Sequence, residues 1–552
     1  MLKKDIGISK SIIFLLFSIF FIVGIITFKD YGISVDEEFQ RRSGFYWLNY
    51  VLSFTFFNEL NNAVAIKLTQ ITGFTLSPIE GNQFYGVIFD LPVALLEVIF
   101  KIDEPKNYFY FKHFLNFFLF FFASIFFYKL LFNRFLNSNI ALIGTLFFIL
   151  SPRIYGNSFF NPKDIVFLSL LTIALYFCFK LIDKMSYKNF IIFAVFAALS
   201  TSQRIYGIFL PLSFVAFYFL STLAKKKDLI YLPGIIIFCI SFFIFLIAFW
   251  PLLWSGPVEN LILTFKYFSH HYLLDDIKIL FNGEYIKANS IPYNYIFTWI
   301  LISTPILYIV LFIIGYIQIF KRFFLKFINI KIDTYYYDLW RGIKEKKDLF
   351  ILFNITCIIL YLITFNISMF TGWRHVYFIN IFIIYISTYA IYRVNLSLKS
   401  YLKKKLLFST LMIYLIFIIY KMIVYHPYQN IYFNSFFIKN IHEKFEVDYW
   451  GLSGKKFLED ILILEKNKNS IIISTASYLP LERSLKLLDK KDRKKIKIVG
   501  QEYQNADYLY SNFMSEVDKI SNDKYKIPSN FIKTNEFILD NIKVYEVYKK
   551  NN

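Results

Sequence analysis

The chain has 552 residues, of which 57% are hydrophobic and only 18% charged, with 70 Phe and 42 Tyr. Mean hydropathy is +0.50 and the apolar residues run in long blocks. That excludes a soluble enzyme and a disordered protein, and the lack of short alternating strands excludes an outer-membrane barrel. The net charge of +21 would suggest nucleic acid in a soluble protein. In a polytopic α-helical membrane protein it reports topology instead, so membrane lipids are expected as partners and nucleic acid is not. Cys178, Cys239 and Cys357 all fall in apolar runs, which leaves no disulfide or zinc framework.

After MLKKDIGISK comes SIIFLLFSIFFIVGIITF. A run of about 18 residues crosses ~27 Å at 1.5 Å per residue. No small-x-small cleavage site follows, so it reads as an uncleaved anchor with its lysines in the cytoplasm. Further apolar runs lie at about 111–132, 138–151, 163–182, 189–203, 205–223, 229–250, 293–320, 349–370, 373–392 and 405–424, predicting about eleven crossings in all.

The segment 84–100 (FYGVIFDLPVALLEVIF) carries Asp90, Pro92 and Glu97, and charge decides how it lies. If it stays in the interface, five basic groups share the cytoplasmic side: Lys129 with Arg134; Lys180, Lys184 and Lys188; Lys225 to Lys227; Lys321 to Lys347; and Arg393 to Lys405. Counted as a span, it would put all of them outside. The segment is therefore predicted to be an interfacial or re-entrant helix.

The external side then receives a first loop at about 29–110, the loop SPRIYGNSFFNPKD, a loop of about 40 residues after Trp250, and everything after the last span. Residues 1–425 form the transmembrane part, in the inner (plasma) membrane, and 426–552 an extracytoplasmic tail. IIIST (471–475), KIKIV (495–499), ADYLY (506–510) and the closing hairpin FILDNIKVYEVY, with a helix-like stretch at 454–466, predict a small α/β domain.

Polar residues at span ends are the functional candidates. Asp36-Glu37-Glu38 stand in KDYGISVDEEFQRR, just beyond the first span. They could supply a general base, bind a divalent cation, or simply cap the following helix. The loop SPRIYGNSFFNPKD brings Arg153, Lys163 and Asp164 to the same side. Its bland reading is a capped helix start with snorkelling bases.

Arg204 in TSQRIYG and Arg374-His375 in TGWRHVYF run against the positive-inside trend. An anionic partner for Arg204 is a lipid phosphate or a carboxylate such as Asp164. His270-His271 in TFKYFSHHY cannot share one helix face. They suit a substrate contact, as does His375, better than a metal site. No Walker A loop, GxGxxG, HExxH or GxSxG occurs in its required context.

The DEE, NPKD and DYWGLS stretches together resemble membrane glycosyltransferases of the C-type fold, of the protein O-mannosyltransferase and aminoarabinose-transferase superfamily. The resemblance extends to YHPYQNIYFNSF and loosely to most of the chain. It implies transfer of a sugar from a polyprenyl-phosphate carrier at the external face to an unknown acceptor, a protein, lipid or glycan. Asp36 matches the first-loop catalytic acid, with Glu37 beside it, and Asp164 matches the second acidic position. Arg204, Arg374, Lys163 and Arg153 match no motif of the family and are candidate contacts to the donor phosphate by their charge. Asp36 is read either as the base itself or, with Asp164, as a ligand of a base-assisting divalent cation such as Mg or Mn; no other cofactor is expected. Two departures stand out: GNQFYGVIFDLP replaces the proline-rich acceptor-side motif of the aminoarabinose branch, and Asp448-Tyr449-Trp450-Gly451 matches no assigned role.

The chemistry fits the residues. A phosphate leaving group needs positive charge to stabilise it, and the attacking hydroxyl needs a base. The competing reading is a transporter or flippase of a lipid-linked sugar. It calls for polar groups accessible from both sides, whereas these candidates gather on one. A third is a non-catalytic scaffold whose tail recruits partners.

Overall fold

In the computed structural model, the described residues are 9–72, 82–224, 226–269, 277–328, 340–434, 440–515 and 523–551. The first loop folds as three helices. After α1 (Lys10–Thr27) come α2 (Glu37–Leu52), α3 (Asn58–Thr72) and α4 (Asp90–Ile99). The 10-residue α4 packs on α2 and is too short to cross a bilayer, as expected of the 84–100 segment. The bundle proper follows: α5 (Pro105–Phe135), α6 (Ser138–Ile149), α7 (Pro152–Phe160), α8 (Asp164–Asp183), α9 (Tyr187–Gln203), α10 (Phe209–Ala224) and α11 (Leu232–Phe249). Then come α12 (Pro257–Ser269), the hairpin β1 (Lys278–Phe281) and β2 (Glu284–Lys287), α13 (Tyr295–Ser303), α14 (Ile306–Ile328), α15 (Ile343–Thr364), α16 (Ile379–Ser397) and α17 (Tyr401–Val424).

Among the described residues nine helices are long and apolar enough to cross a membrane, or ten if the bent pair α6 and α7 is one span. About eleven were expected, and the difference has local causes. α9, with 17 residues, spans about 26 Å, a little short of the hydrocarbon core. The segment SPRIYGNSFFNPKD, expected as a loop, is mostly helix. Ser151 is extended, as a residue before proline tends to be, and Pro152 starts α7 at a 60° bend to α6. Every residue of α7 is buried, so this polar-looking stretch lies inside the protein. The runs 293–320 and 373–392 each keep one span, α14 and α16, but with a delayed start. A break before Pro305 separates α13 from α14, and a short 3-10 helix, Arg374–Val376, precedes α16.

The bundle has two polar ends. At one, Asp36, Asp164, Arg204, Arg374 and the tail meet. At the other, Arg134 pairs with Asp348, Lys347 with Asp183 (2.6 Å), and Arg322 approaches Glu345 at 3.5 Å. The tail carries the helix Ser453–Leu464 and a five-stranded sheet of β3 (Ile471–Thr475), β4 (Ile496–Ile498), β5 (Tyr508–Ser511), β6 (Phe531–Leu539) and β7 (Ile542–Lys550). Strand order is β4-β3-β5-β7-β6, with β3 parallel to β4 and β5, and β7 antiparallel to β5 and β6. The tail rests on the first-loop end of the bundle: Lys455 donates to the carbonyls of Lys29 and Asp30, and Lys106 pairs with Asp489 at 2.8 Å.

Candidate active site

Three adjacent carboxylates open α2, and each goes to a different partner. Asp36 sits at the helix start, where its Oδ2 accepts from Arg374 Nη1 at 2.7 Å. Glu37 is fully buried; its Oε1 lies 2.9 Å from His113 Nε2 and its Oε2 accepts from the Ser34 backbone N–H at 2.6 Å. Glu38 turns toward the tail, pairing with Lys486 and lying 3.6 Å from Arg483. A helix start places successive side chains about 100° apart, so three consecutive carboxylates cannot converge on one ion unaided.

The second carboxylate is Asp164, at the start of α8. It pairs with Arg204 and accepts from Asn161 Nδ2 at 3.0 Å, while Asn161 Oδ1 accepts from the Asp164 backbone N–H at 3.0 Å. Arg204 can reach it because α9 stops there. The residue is extended (φ −147°, ψ 133°), so its side chain leaves the helix end sideways. Its Nη1 lies 3.5 Å from the His375 carbonyl, which links it to the Arg374 turn. That turn is tight: Thr371 and Gly372 both have positive φ, +53° and +73°. Gly372 adopts this without strain; Thr371 does not.

Lys163 and Tyr85 lie between the two ion pairs, with the Lys163 ammonium over the Tyr85 ring at 3.0 Å from its centroid. Gly86 makes this possible. A Cβ there would stand 1.5 Å from the Ser202 carbonyl oxygen, so only glycine lets residues 85–87 lie against the end of α9.

The electrostatics follow from this crowding. Burial and the neighbouring Arg204 lower the Lys163 ammonium to about 7, against the opposing pull of Asp36 and Asp164. Burial alone would raise Asp36, but Arg374 and then Lys163 outweigh it and hold the carboxyl below its ordinary value. Burial would lower Arg374, but Asp36 and Asp164 outweigh it and keep the guanidinium charged. Both Arg374 Nε and Arg204 Nε are buried without a hydrogen-bond partner in the structure.

Other sequence-selected residues lie elsewhere. Arg153 is buried away from these pairs. Its Nε donates to the Tyr432 carbonyl at 2.9 Å and its guanidinium lies over Phe433 (4.4 Å) and Trp299 (5.4 Å), which pins the chain after α17. His375 turns its ring to Phe370, with 4.7 Å between centroids. His270 and His271 lie outside the described residues. Among the described residues no three His, Cys, Asp or Glu are placed to hold a metal ion. Asp36 and Asp164 each face a guanidinium instead, so these residues do not fit the Mg or Mn site expected of them.

The sequence reading missed Tyr85, His113, Lys112 (2.8 Å from Asp90), Trp450 and Glu446. Glu446 is buried, and burial pushes its carboxyl up to about 8. His113 and Lys112 sit within the apolar run of α5, and two ionisable groups inside a span were the signal available. His113→Phe should leave the buried Glu37 Oε1 without its partner, lowering stability by about 1–3 kcal/mol. A thermal midpoint unchanged from wild type would show that Glu37 does not depend on it.

Residues 111–254 match the family model described as dolichyl-phosphate-mannose-protein mannosyltransferase. This agrees with the superfamily that the DEE and NPKD stretches resemble. The matched segment holds Lys163, Asp164 and Arg204, but not Asp36 or Arg374. ArnT from Cupriavidus metallidurans bound to undecaprenyl phosphate is similar in structure at 10% identity, with 98% of each chain covered. Its TM-score of 0.46 is too low to bear on the site. No curated protein matches the chain.

Proposed function

We propose that this chain is a membrane glycosyltransferase that moves a sugar from a polyprenyl-phosphate carrier to an acceptor nucleophile, with inversion at the sugar carbon. We also propose that the end bearing Asp36 and the tail faces the extracytoplasmic side. The observation that carries the reading is the grouping of Arg204, Arg374 and Lys163 around Asp36 and Asp164 at one end of the bundle, with an unbonded N–H left on each guanidinium. Two carboxylates already balance two of these cations. A third cation poised near neutrality and two free donors suit an arriving phosphate.

In the reaction, the acceptor oxygen forms a bond to the sugar carbon as the bond from that carbon to the phosphate oxygen breaks. The electron pair leaves on the phosphate, where Arg204, Arg374 and Lys163 stabilise it. The acceptor's proton goes to Asp36. Arg374 serves two anions in turn: once it engages the donor phosphate, its hold on Asp36 weakens, and the carboxyl pKa rises toward the range a base needs. Asp164 keeps Arg204 oriented. No step runs through a metal ion.

The test is transfer of radiolabelled sugar from purified polyprenyl-phosphate donors in liposomes, with a crude cell-envelope fraction as acceptor. Label that stays on the donor across a broad panel of sugars would sink the reading. A pH dependence should accompany it. Lys163 is charged below about 7 and neutral above. Affinity for the sugar-loaded carrier, a phosphodiester of constant charge over this range, should therefore be higher at pH 6 than at pH 9, and Lys163→Met should flatten that slope. An unaltered slope in the variant would remove Lys163 from the phosphate site.

A further inference from the structure

We infer that Trp450 is a positioning residue: the tail loop Tyr449-Trp450-Gly451 is the wall that holds Arg374 within reach of both Asp36 and the donor phosphate. This rests on the reading above. The Arg374 guanidinium lies over two rings, 4.6 Å from the centroid of Trp450 and 4.8 Å from that of Phe370. Trp450 is 1% exposed, and its indole N–H is buried with no acceptor. A buried tryptophan normally finds a partner for that group. Here the ring is placed for its face, which is what a cation requires.

The loop is itself fixed from three directions. The Val35 N–H, one residue before Asp36, donates to the Trp450 carbonyl at 3.2 Å, so the wall and the carboxylate move together. The Tyr449 hydroxyl lies 2.9 Å from that of Tyr377, three residues past Arg374. Asp448 accepts from the N–H groups of Leu452 (3.1 Å) and Ser453 (3.2 Å), and Asn512 of the tail donates to its backbone carbonyl at 3.2 Å. The tail also holds Glu38 through Lys486. Arg374 thus has its electrostatic partner on the first loop and its stacking partner on the tail. Held against the indole, the guanidinium can swing from the Asp36 carboxylate toward an arriving phosphate without leaving the ring.

The full-length protein in liposomes tests this with Trp450→Ala, Trp450→Leu and Trp450→Phe, each also combined with Arg374→Gln. Two readouts are binding of unglycosylated polyprenyl phosphate and sugar transfer, with thermal midpoints as the folding control. Leucine fills much of the space without a π face, and phenylalanine restores one. Trp450→Leu should weaken carrier binding about tenfold, and Trp450→Phe should stay within about threefold of wild type. With Arg374→Gln in place, Trp450→Leu should add less than a twofold loss, because its effect passes through Arg374. Transfer should also shift its acid limb to higher pH in Trp450→Leu, since a loosened Arg374 no longer holds the Asp36 carboxyl down.

Full additivity with Arg374→Gln, or wild-type carrier binding in folded Trp450→Leu, would overturn the inference. If the binding pattern holds while no donor sugar is transferred, the proposed reaction fails and the positioning role stands.

Discussion

Asp36→Asn is expected to reduce sugar transfer by about 10³-fold or more, within the range that loss of a general base produces. The substitution keeps shape and one hydrogen-bond acceptor for Arg374 but removes the charge and the proton-accepting oxygen. Stability should fall modestly, because Arg374 is buried and loses its anion; a folding control by thermal midpoint is therefore part of the measurement. Carrier binding should be retained or tightened, since Arg374 is then free for the phosphate. That combination of lost turnover and kept binding separates a base from a structural carboxylate. Undiminished transfer by a folded variant would remove Asp36 from the chemistry. Loss of carrier binding would instead make it a scaffold for the phosphate clamp.

The second large effect is expected at the opposite end of the bundle. Asp348 is 3% exposed; it accepts from Arg134 Nε at 2.7 Å and from the Tyr385 hydroxyl at 2.9 Å, joining α5, α15 and α16. Asp348→Leu leaves a buried guanidinium without its anion and should destabilise the bundle by about 3–5 kcal/mol. The double variant Arg134→Met with Asp348→Leu should recover most of that loss, because the penalty comes from stranding one charge rather than from losing the pair. Transfer per folded molecule should be near wild type in both, since the pair lies at the other end from Asp36. The check is a thermal melt in detergent. Equal midpoints for wild type and Asp348→Leu would show that the guanidinium finds another partner.

Much of this fold was legible in the sequence for one reason: hydropathy is a local sum. Apolar runs long enough to cross a bilayer marked the helices, and where a helix began later than its run the cause was backbone chemistry at a single point. Proline after Ser151 and after Thr304 broke two runs, and the turn at 371–378 delayed α16. The tail was equally readable. Its strands at 471–475, 496–498, 508–511, 531–539 and 542–550 fall on the apolar runs and the closing hairpin.

The candidate residues were legible as a class, because ionisable groups at span ends stand out against an apolar background. Their partners were not. Asp36 and Arg374 are 338 positions apart, and Glu38 and Lys486 are 448 apart. Nothing local in the chain favours those contacts over a loop carboxylate meeting solvent. Arg153 shows the converse. Sequence position put it with Lys163 and Asp164, but the bend at Ser151 turned α7 inward and gave it to Phe433 and Trp299.

By itself, then, the sequence determined a polytopic helical membrane protein with an α/β tail and the set of charges gathered at its span ends. Those properties depend on residues within one helix length of each other. Only the tertiary structure decided that the three acidic neighbours diverge, that Lys163 is crowded enough to lose its proton near neutrality, and that a tail tryptophan backs Arg374. Each depends on the packing of segments remote in the chain. In a low-dielectric interior that packing sets both the partner of a charge and its protonation state.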